Sequence, residues 1–163
     1  MRSSRIVCTR ILFFLGLSLQ GQTLFLEMQV RGPESFSSRE SDFLRARADG
    51  ILETLWDAGF IVYDSGDPAT PGEQIYLPNL VQTARNGGAE LLLLVELMTD
   101  RPEADSTLTP HAFRYRLISV REGVPIESGT AAVANMITES EVDQESYWLT
   151  LGGMVGREVL NAQ

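Results

Sequence analysis

The sequence predicts a single α/β domain in which a mixed sheet of about five strands packs with three helices. Its length of 163 residues matches one domain with a core of its own. Segments with apolar residues at spacings of three and four alternate with short apolar runs, and two alternating segments then follow across a tight turn. We therefore expect the order β-α-β-α-β-β-β-α, without an internal repeat or a coiled-coil heptad.

Residues 1–21 have the three-part form of a secretory signal peptide. Three arginines precede the apolar run 11–19, and small and polar residues follow it. A run of nine residues is too short to cross a bilayer, which takes about 20 in a helix. We expect cleavage after Ser18 or after Gly21, no stable transmembrane segment after signal removal, and a mature α/β domain that covers residues 22–163.

The cysteine and charge counts limit the chemistry of the mature domain. Cys8 is the only cysteine and precedes the apolar run, whereas the cysteine of a lipoprotein signal follows it. The mature domain therefore has no disulfide and no thiol chemistry. Removing three arginines changes the formal net charge from −9 to 10 − 22, or −12, and the chain has no lysine. This acidity argues against nucleic-acid or anionic-lipid partners. We interpret it as a solubility feature, with an acidic docking face for a basic partner as the alternative.

The first half of the domain reads as strand, helix and strand. Residues 23–30 are mostly apolar and form a first strand. A capping box at 37–40 opens a helix whose apolar residues recur at helical spacing through Trp56. Gly59 supplies a left-handed stop, and 60–63 follows as a short buried strand.

A loop, a helix and a central strand come next. Residues 64–72 combine glycine, proline and aspartate and are predicted to form a loop. Pro78 suits the first turn of a second helix that ends at 86–87. Residues 90–98 are apolar at almost every position, which is typical of a strand buried on both faces. The inward residues of the helix are predicted to be Leu80, Val81 and Ala84.

The last third reads as a hairpin and a terminal helix. After a loop at 99–111, apolar residues and arginines alternate over 113–117, which predicts a strand with one solvent-facing side. A turn at 121–123 leads to the partner strand 124–134, which is rich in small residues. A second capping box at 138–141 opens the terminal helix. Its inward residues are predicted to be Trp148, Leu149, Val155 and Val159.

Three stretches resemble a family of small envelope domains. They are residues 55–62 (LWDAGFIV), 84–97 (ARNGGAELLLLVEL) and 115–126 (YRLISVREGVPI). They are similar to the TolB amino-terminal domain, the curli-secretion lipoproteins and flagellar-assembly envelope proteins. Glu90 stands where the family pattern has Asp, Glu122-Gly123 stands where it has Thr-Gly, and the lipoprotein cysteine motif is missing. The resemblance implies a periplasmic, non-catalytic module that assembles with other envelope proteins, and it transfers no catalytic residue.

Few residues are candidates for chemistry. His111 is the only histidine and is expected in a loop, so any histidine-based catalysis depends on it alone. No serine lies in a Gly-x-Ser-x-Gly setting. Asp64, Asp67 and Glu73 share an acidic loop, but their spacing does not match a calcium loop, and a solvated loop is favoured. We predict no catalytic residue, no metal site and no cofactor.

Residues 152–156, GGMVG, place three glycines inside the terminal helix, where each costs about 1 kcal/mol relative to alanine. We expect the glycines to let the helix backbone approach the small-residue strand 128–134 closely. The alternative is a helix face that packs against a partner or lipid. The candidate interaction face consists of Gly152, Gly156, Tyr147 and Trp148.

The sequence thus favours a periplasmic or exported interaction domain without enzymatic activity. It would serve as a subunit or adaptor in cell-envelope or surface-appendage assembly, associated with the outer membrane or with further copies of itself. The alternative is an envelope ligand-binding protein or hydrolase that uses the acidic loop 64–73 and His111. An exposed apolar edge would favour the first hypothesis, and a pocket with convergent polar groups the second.

We expect the protein in its native cells to lack its leader, because the apolar run is long enough for a signal peptide and too short for an anchor. Intact-mass measurement of the purified protein checks this. A mass that still includes residues 1–18 would contradict it.

Overall fold

In a computed structural model of the chain, the described residues are 21–31, 38–66, 76–100, 109–133 and 144–161. Within them, five strands and three helices follow each other in the predicted order, which confirms the fold class. They are β1 (Thr23–Arg31), α1 (Ser38–Asp57), β2 (Ile61–Asp64), α2 (Leu77–Asn86), β3 (Leu91–Asp100), β4 (Thr109–Ser119), β5 (Val124–Ala132) and α3 (Gln144–Asn161).

The strands form one mixed sheet in the order β2-β1-β3-β4-β5. β1 lies parallel to β2 and β3, and antiparallel ladders join β3 to β4 and β4 to β5. α1 and α2 are the helical crossovers that parallel neighbours require. A tight turn that includes Gly123, with φ of +72°, is sufficient between the antiparallel β4 and β5.

The central strand β3 is buried on both faces. Its odd-numbered residues from 91 to 97 join the larger hydrophobic core with α1 and α3, whereas Leu92 and Leu94 join a smaller core with α2. We call these the first and the second face of the sheet. The predicted two-sided burial is confirmed, and α2 supplies the layer on the second face.

Several element ends differ from the sequence-based expectation. β3 extends to Asp100 and β4 begins at Thr109, so both strands reach into the predicted loop 99–111. Leu149 is 40% exposed rather than inward, and Leu151 takes the inward position instead. The reason is that α3 faces α1 as well as the sheet. The side chains of both predicted capping boxes lie outside the residues that the structure describes.

The closest helix contact joins the backbones of α1 and α3. A Cβ atom added to Gly50 would collide with the carbonyl oxygen of Leu149, and one added to Gly152 would collide with that of Arg47. Gly156 is nearly as tight, since its Cβ would lie 2.9 Å from the Cβ of Thr54. The missing side chains therefore set how closely the two helices approach.

The expected neighbour of these glycines was wrong. The sequence suggested that they face the small-residue strand 128–134, whereas Gly152 and Gly156 meet α1. Gly129 of β5 is small for another reason, because the ring of Tyr115 lies over it. The sequence shows which residues allow close approach but not which element approaches them.

We expect Gly152→Ala to destabilise the fold by about 1 to 3 kcal/mol, because the new methyl group overpacks the contact with α1. Gly153→Ala is the matched control, since its Cβ would lie 3.3 Å from the Thr54 hydroxyl, and alanine also favours the helix. The control should change the free energy of unfolding by less than about 1 kcal/mol. Urea unfolding of both variants measures the difference, and equal effects would contradict the backbone contact.

Candidate functional site

α2 covers one half of the second face, and the other half is polar. The covered half is apolar and includes Phe25, Leu92 and Ile118. Further along the same strands, charged residues take the equivalent positions. We call this surface the polar half-face; it consists of Glu27, Arg31, Glu96, Arg114 and Arg116.

Glu96 is the centre of the polar half-face. Its side chain is 2% exposed, and its Oε1 accepts a hydrogen bond from Arg31 Nη2 at 3.0 Å. Arg116 Nη2 also reaches Oε1, and Arg114 Nη1 reaches Oε2, both at 3.5 Å. One buried carboxylate thus holds three guanidinium groups by charge-assisted hydrogen bonds.

The strand register brings these groups together. Glu96 pairs with Gln29 on β1 and with Arg114 on β4. The Thr99 hydroxyl donates to the Arg31 carbonyl oxygen at 3.2 Å, which ties the end of β1 to β3. Because β1, β3 and β4 are all hydrogen-bonded here, the cluster rests on rigid backbone.

The polar half-face carries excess positive charge in an acidic chain. It contains three arginines and two buried acids, Glu27 and Glu96, which gives it a formal charge of +1. The whole chain has a formal charge of −9. The side chains of Arg31, Arg114 and Arg116 are 62%, 45% and 34% exposed, respectively. Their remaining N–H groups can donate to an anion, since a guanidinium has five donors. The cluster suits anion binding better than proton transfer, because both oxygens of Glu96 already accept from arginines.

The edge strand β5 lies beside this cluster. β5 ends the sheet, and in the described ranges no strand pairs with its outer side. Thr130 pairs with Arg114 and Ser128 with Arg116, so these four residues share the second face. On the first face, burial and then the charges of nearby carboxylates raise the pKa of the Tyr115 hydroxyl. This tyrosine therefore acts as a neutral packing residue.

The acidic loop 64–73 and His111, which a ligand-binding protein or hydrolase would use, do not form one site in the described residues. Asp64 ends β2, where its Oδ1 accepts from the backbone N–H of Gly66 at 3.1 Å. His111 is exposed on β4. Strands β1 and β3 lie between β2 and β4, so the strands that carry Asp64 and His111 are roughly 14 Å apart across the sheet. Asp67 and Glu73 lie outside the described residues. In the described parts of the chain, no three His, Cys, Asp or Glu side chains could hold a metal ion.

Most of the predicted interaction face lies inside the domain. Gly152 and Gly156 are buried against α1, and Trp148 is buried beside Phe43, with ring centroids 6.0 Å apart. Tyr147 is half-buried and meets Trp148 edge-on. A partner could reach the glycines only if α3 left α1.

Arg47 is a buried cation at the same helix contact. Its guanidinium lies 5.3 Å from the ring centroid of Trp148, and none of the three guanidinium nitrogens has a hydrogen-bond partner among the residues that the structure describes. Burial lowers the pKa of Arg47 to about 9, which still leaves the group charged at neutral pH. A cation–π contact offsets only part of the cost of burying a charge.

The sequence missed the polar half-face. Its signals were present, since Glu96 interrupts an apolar strand and Arg114 and Arg116 occupy alternate positions of the next one. An alternating strand shows that the arginines share a side, but only strand pairing shows that Glu96 lies between them and Arg31.

No family model matches this chain, and no curated protein matches it. Among solved structures, the PelC dodecamer from Paraburkholderia phytofirmans is 13% identical over 84% of this chain and 85% of that chain, with a TM-score of 0.47. Lipoprotein GNA1162 from Neisseria meningitidis is 15% identical over 86% and 99%, with a TM-score of 0.48. The LpoB C-terminal domain from Escherichia coli is 19% identical over 73% and 84%, with a TM-score of 0.42.

At these identities and TM-scores, the likenesses carry no argument about what this chain binds or does. The resemblance to the TolB amino-terminal domain stays a prediction from sequence. Of the helices within the described ranges, none is long and apolar enough to cross a membrane.

We expect Arg47→Met to raise the free energy of unfolding by about 1 to 4 kcal/mol, because methionine fills the site without burying a charge. Arg157→Met, on the exposed side of α3, should stay within about 0.5 kcal/mol of the parent. Thermal and urea unfolding measure both variants. Destabilisation by Arg47→Met would show that the guanidinium makes a favourable contact that outweighs its burial.

Proposed function

We propose that this chain is an exported, non-enzymatic interaction domain that binds protein partners by strand addition at β5. The observation that carries the proposal is the position of β5 at the end of the sheet, with its outer side unpaired by any strand in the described ranges. An edge strand presents backbone N–H and C=O groups that an extended segment can bind.

The two halves of β5 differ in how they are protected against pairing. The first half contains Pro125 and Glu127, and the register shifts between Leu117 and Ile118 on the neighbouring strand. Proline, charge and bulges are the devices that block an edge. Residues 128–132, SGTAA, carry neither proline nor charge. This second half is therefore open to pairing, and we assign it the docking role.

Exposed apolar side chains lie on the same strand. Val124 is 48% exposed and Ile126 is 56% exposed. Both lie on the half of β5 that Pro125 and Glu127 protect, so they are not part of the docking segment 128–132.

The site chemistry favours binding over catalysis. The arginines engage both oxygens of Glu96, and His111 lies far from Asp64. We propose a place in the cell envelope because of the arginine-flanked leader and the resemblance to small envelope domains. The role would be that of a subunit or adaptor in envelope or surface-appendage assembly.

Site-specific photo-crosslinking in intact native cells tests this function. A photoreactive phenylalanine derivative at Thr130, on the open half of β5, should give defined crosslinked products that mass spectrometry identifies as envelope proteins or as a second copy. The same derivative at Glu53, which is exposed on α1 on the other face of the sheet, is the matched control and should give fewer products. Products from Glu53 alone would contradict docking at β5.

A further inference from the structure

We infer that the segment added to β5 is acidic, with carboxylates at alternate positions that bind Arg114 and Arg116. This inference rests on the proposed function, since it requires a strand at the β5 edge. It goes further by specifying the chemistry of the partner and the residues that select it.

The register places both arginines one strand away from the docking edge. Arg114 lies beside Thr130 and Arg116 beside Ser128, all on the second face. A strand added to β5 lies two strand spacings from β4, about 10 Å. The long stem of an arginine can extend over β5 and meet a glutamate side chain that reaches back from the added strand.

Small side chains keep this path open. Ser128 and Thr130, the residues of β5 on the second face here, are exposed and short. Arg114 and Arg116 are two residues apart on one strand, so their guanidinium groups match partner side chains at positions i and i+2 of an extended segment.

Arg114 and Arg116 can turn away from Glu96 while Arg31 still pairs with that carboxylate. Their contacts with Glu96 are 3.5 Å long, which is the limit of a hydrogen bond, whereas Arg31 binds the same carboxylate at 3.0 Å. Among the described residues, Nε of Arg116 is buried without a hydrogen-bond partner. Arg114 and Arg116 could therefore bind carboxylates of an incoming strand, while Glu96 keeps its ion pair with Arg31.

Charge explains why the partner segment should be acidic there. The chain as a whole carries −9, which repels acidic segments, while the polar half-face has three arginines against two acids. An acidic strand is therefore attracted to the polar half-face. This limits both where and in which register it docks.

Peptide binding to the full exported chain tests the inference. The probe is a labelled ten-residue peptide in which glutamate alternates with valine or threonine, compared with the same peptide carrying glutamine. Fluorescence anisotropy should show at least about tenfold tighter binding of the glutamate peptide, with a preference that decreases at high salt. N-methylation of alternate amides of the glutamate peptide should abolish binding, because it removes strand pairing.

Variants identify the arginines responsible. Arg114→Gln leaves Arg31 and Arg116 on Glu96 and should remove most of the glutamate preference, whereas Arg157→Gln, the same charge change on α3, should retain it. Thr130→Glu is a second variant that removes no ion pair. Its carboxylate should occupy Arg114 and abolish the preference. Thermal unfolding of each variant verifies that it is folded.

The outcomes separate this inference from the proposed function. Equal binding of the glutamate and glutamine peptides would overturn the acidic preference and leave strand addition at β5 standing. Unchanged binding of the N-methylated peptide would overturn strand pairing, and with it both proposals. A glutamate preference that survives both Arg114→Gln and Thr130→Glu would overturn the assignment to these arginines.

Discussion

The backbone contact between α1 and α3 is the constraint on which the rest of the domain depends. Gly50 and Gly152 lack the Cβ atoms that would collide across it, so both helices fit over one face of the sheet. Each helical glycine costs about 1 kcal/mol in propensity. The close approach offsets this cost, because it buries Leu151, Val155 and Val159 in the larger core.

The same contact explains the burial of the Arg47 side chain. Arg47 contributes its backbone carbonyl to the glycine contact, so its side chain starts inside the layer between the helices and the sheet. The guanidinium contacts the ring of Trp148 and, among the described residues, no hydrogen-bond acceptor. The close approach of the helices thus holds a buried charge against an aromatic ring.

The two faces of the sheet are covered unequally, and the candidate site follows from that difference. Two long helices cover the first face, whereas the 10-residue α2 covers only the apolar half of the second. Beyond α2, Glu96 compensates its burial with arginines from β1 and β4. The charged cluster therefore lies where the helical layer ends, next to the edge strand β5.

The sequence by itself determined the element order, the two-sided burial of β3 and the inward residues of α2, because these follow from local periodicity and glycine stops such as Gly59, with φ of +95°. It also showed that GGMVG permits close approach and that Arg114 and Arg116 share a side. Tertiary structure alone decided that the glycines meet α1, that Leu149 points outward, and that Glu96 gathers three arginines from two other strands. Periodicity indicates which side of its own helix or strand a residue faces. Which residue it meets on a neighbouring strand or helix depends on register and packing between segments that are distant in sequence.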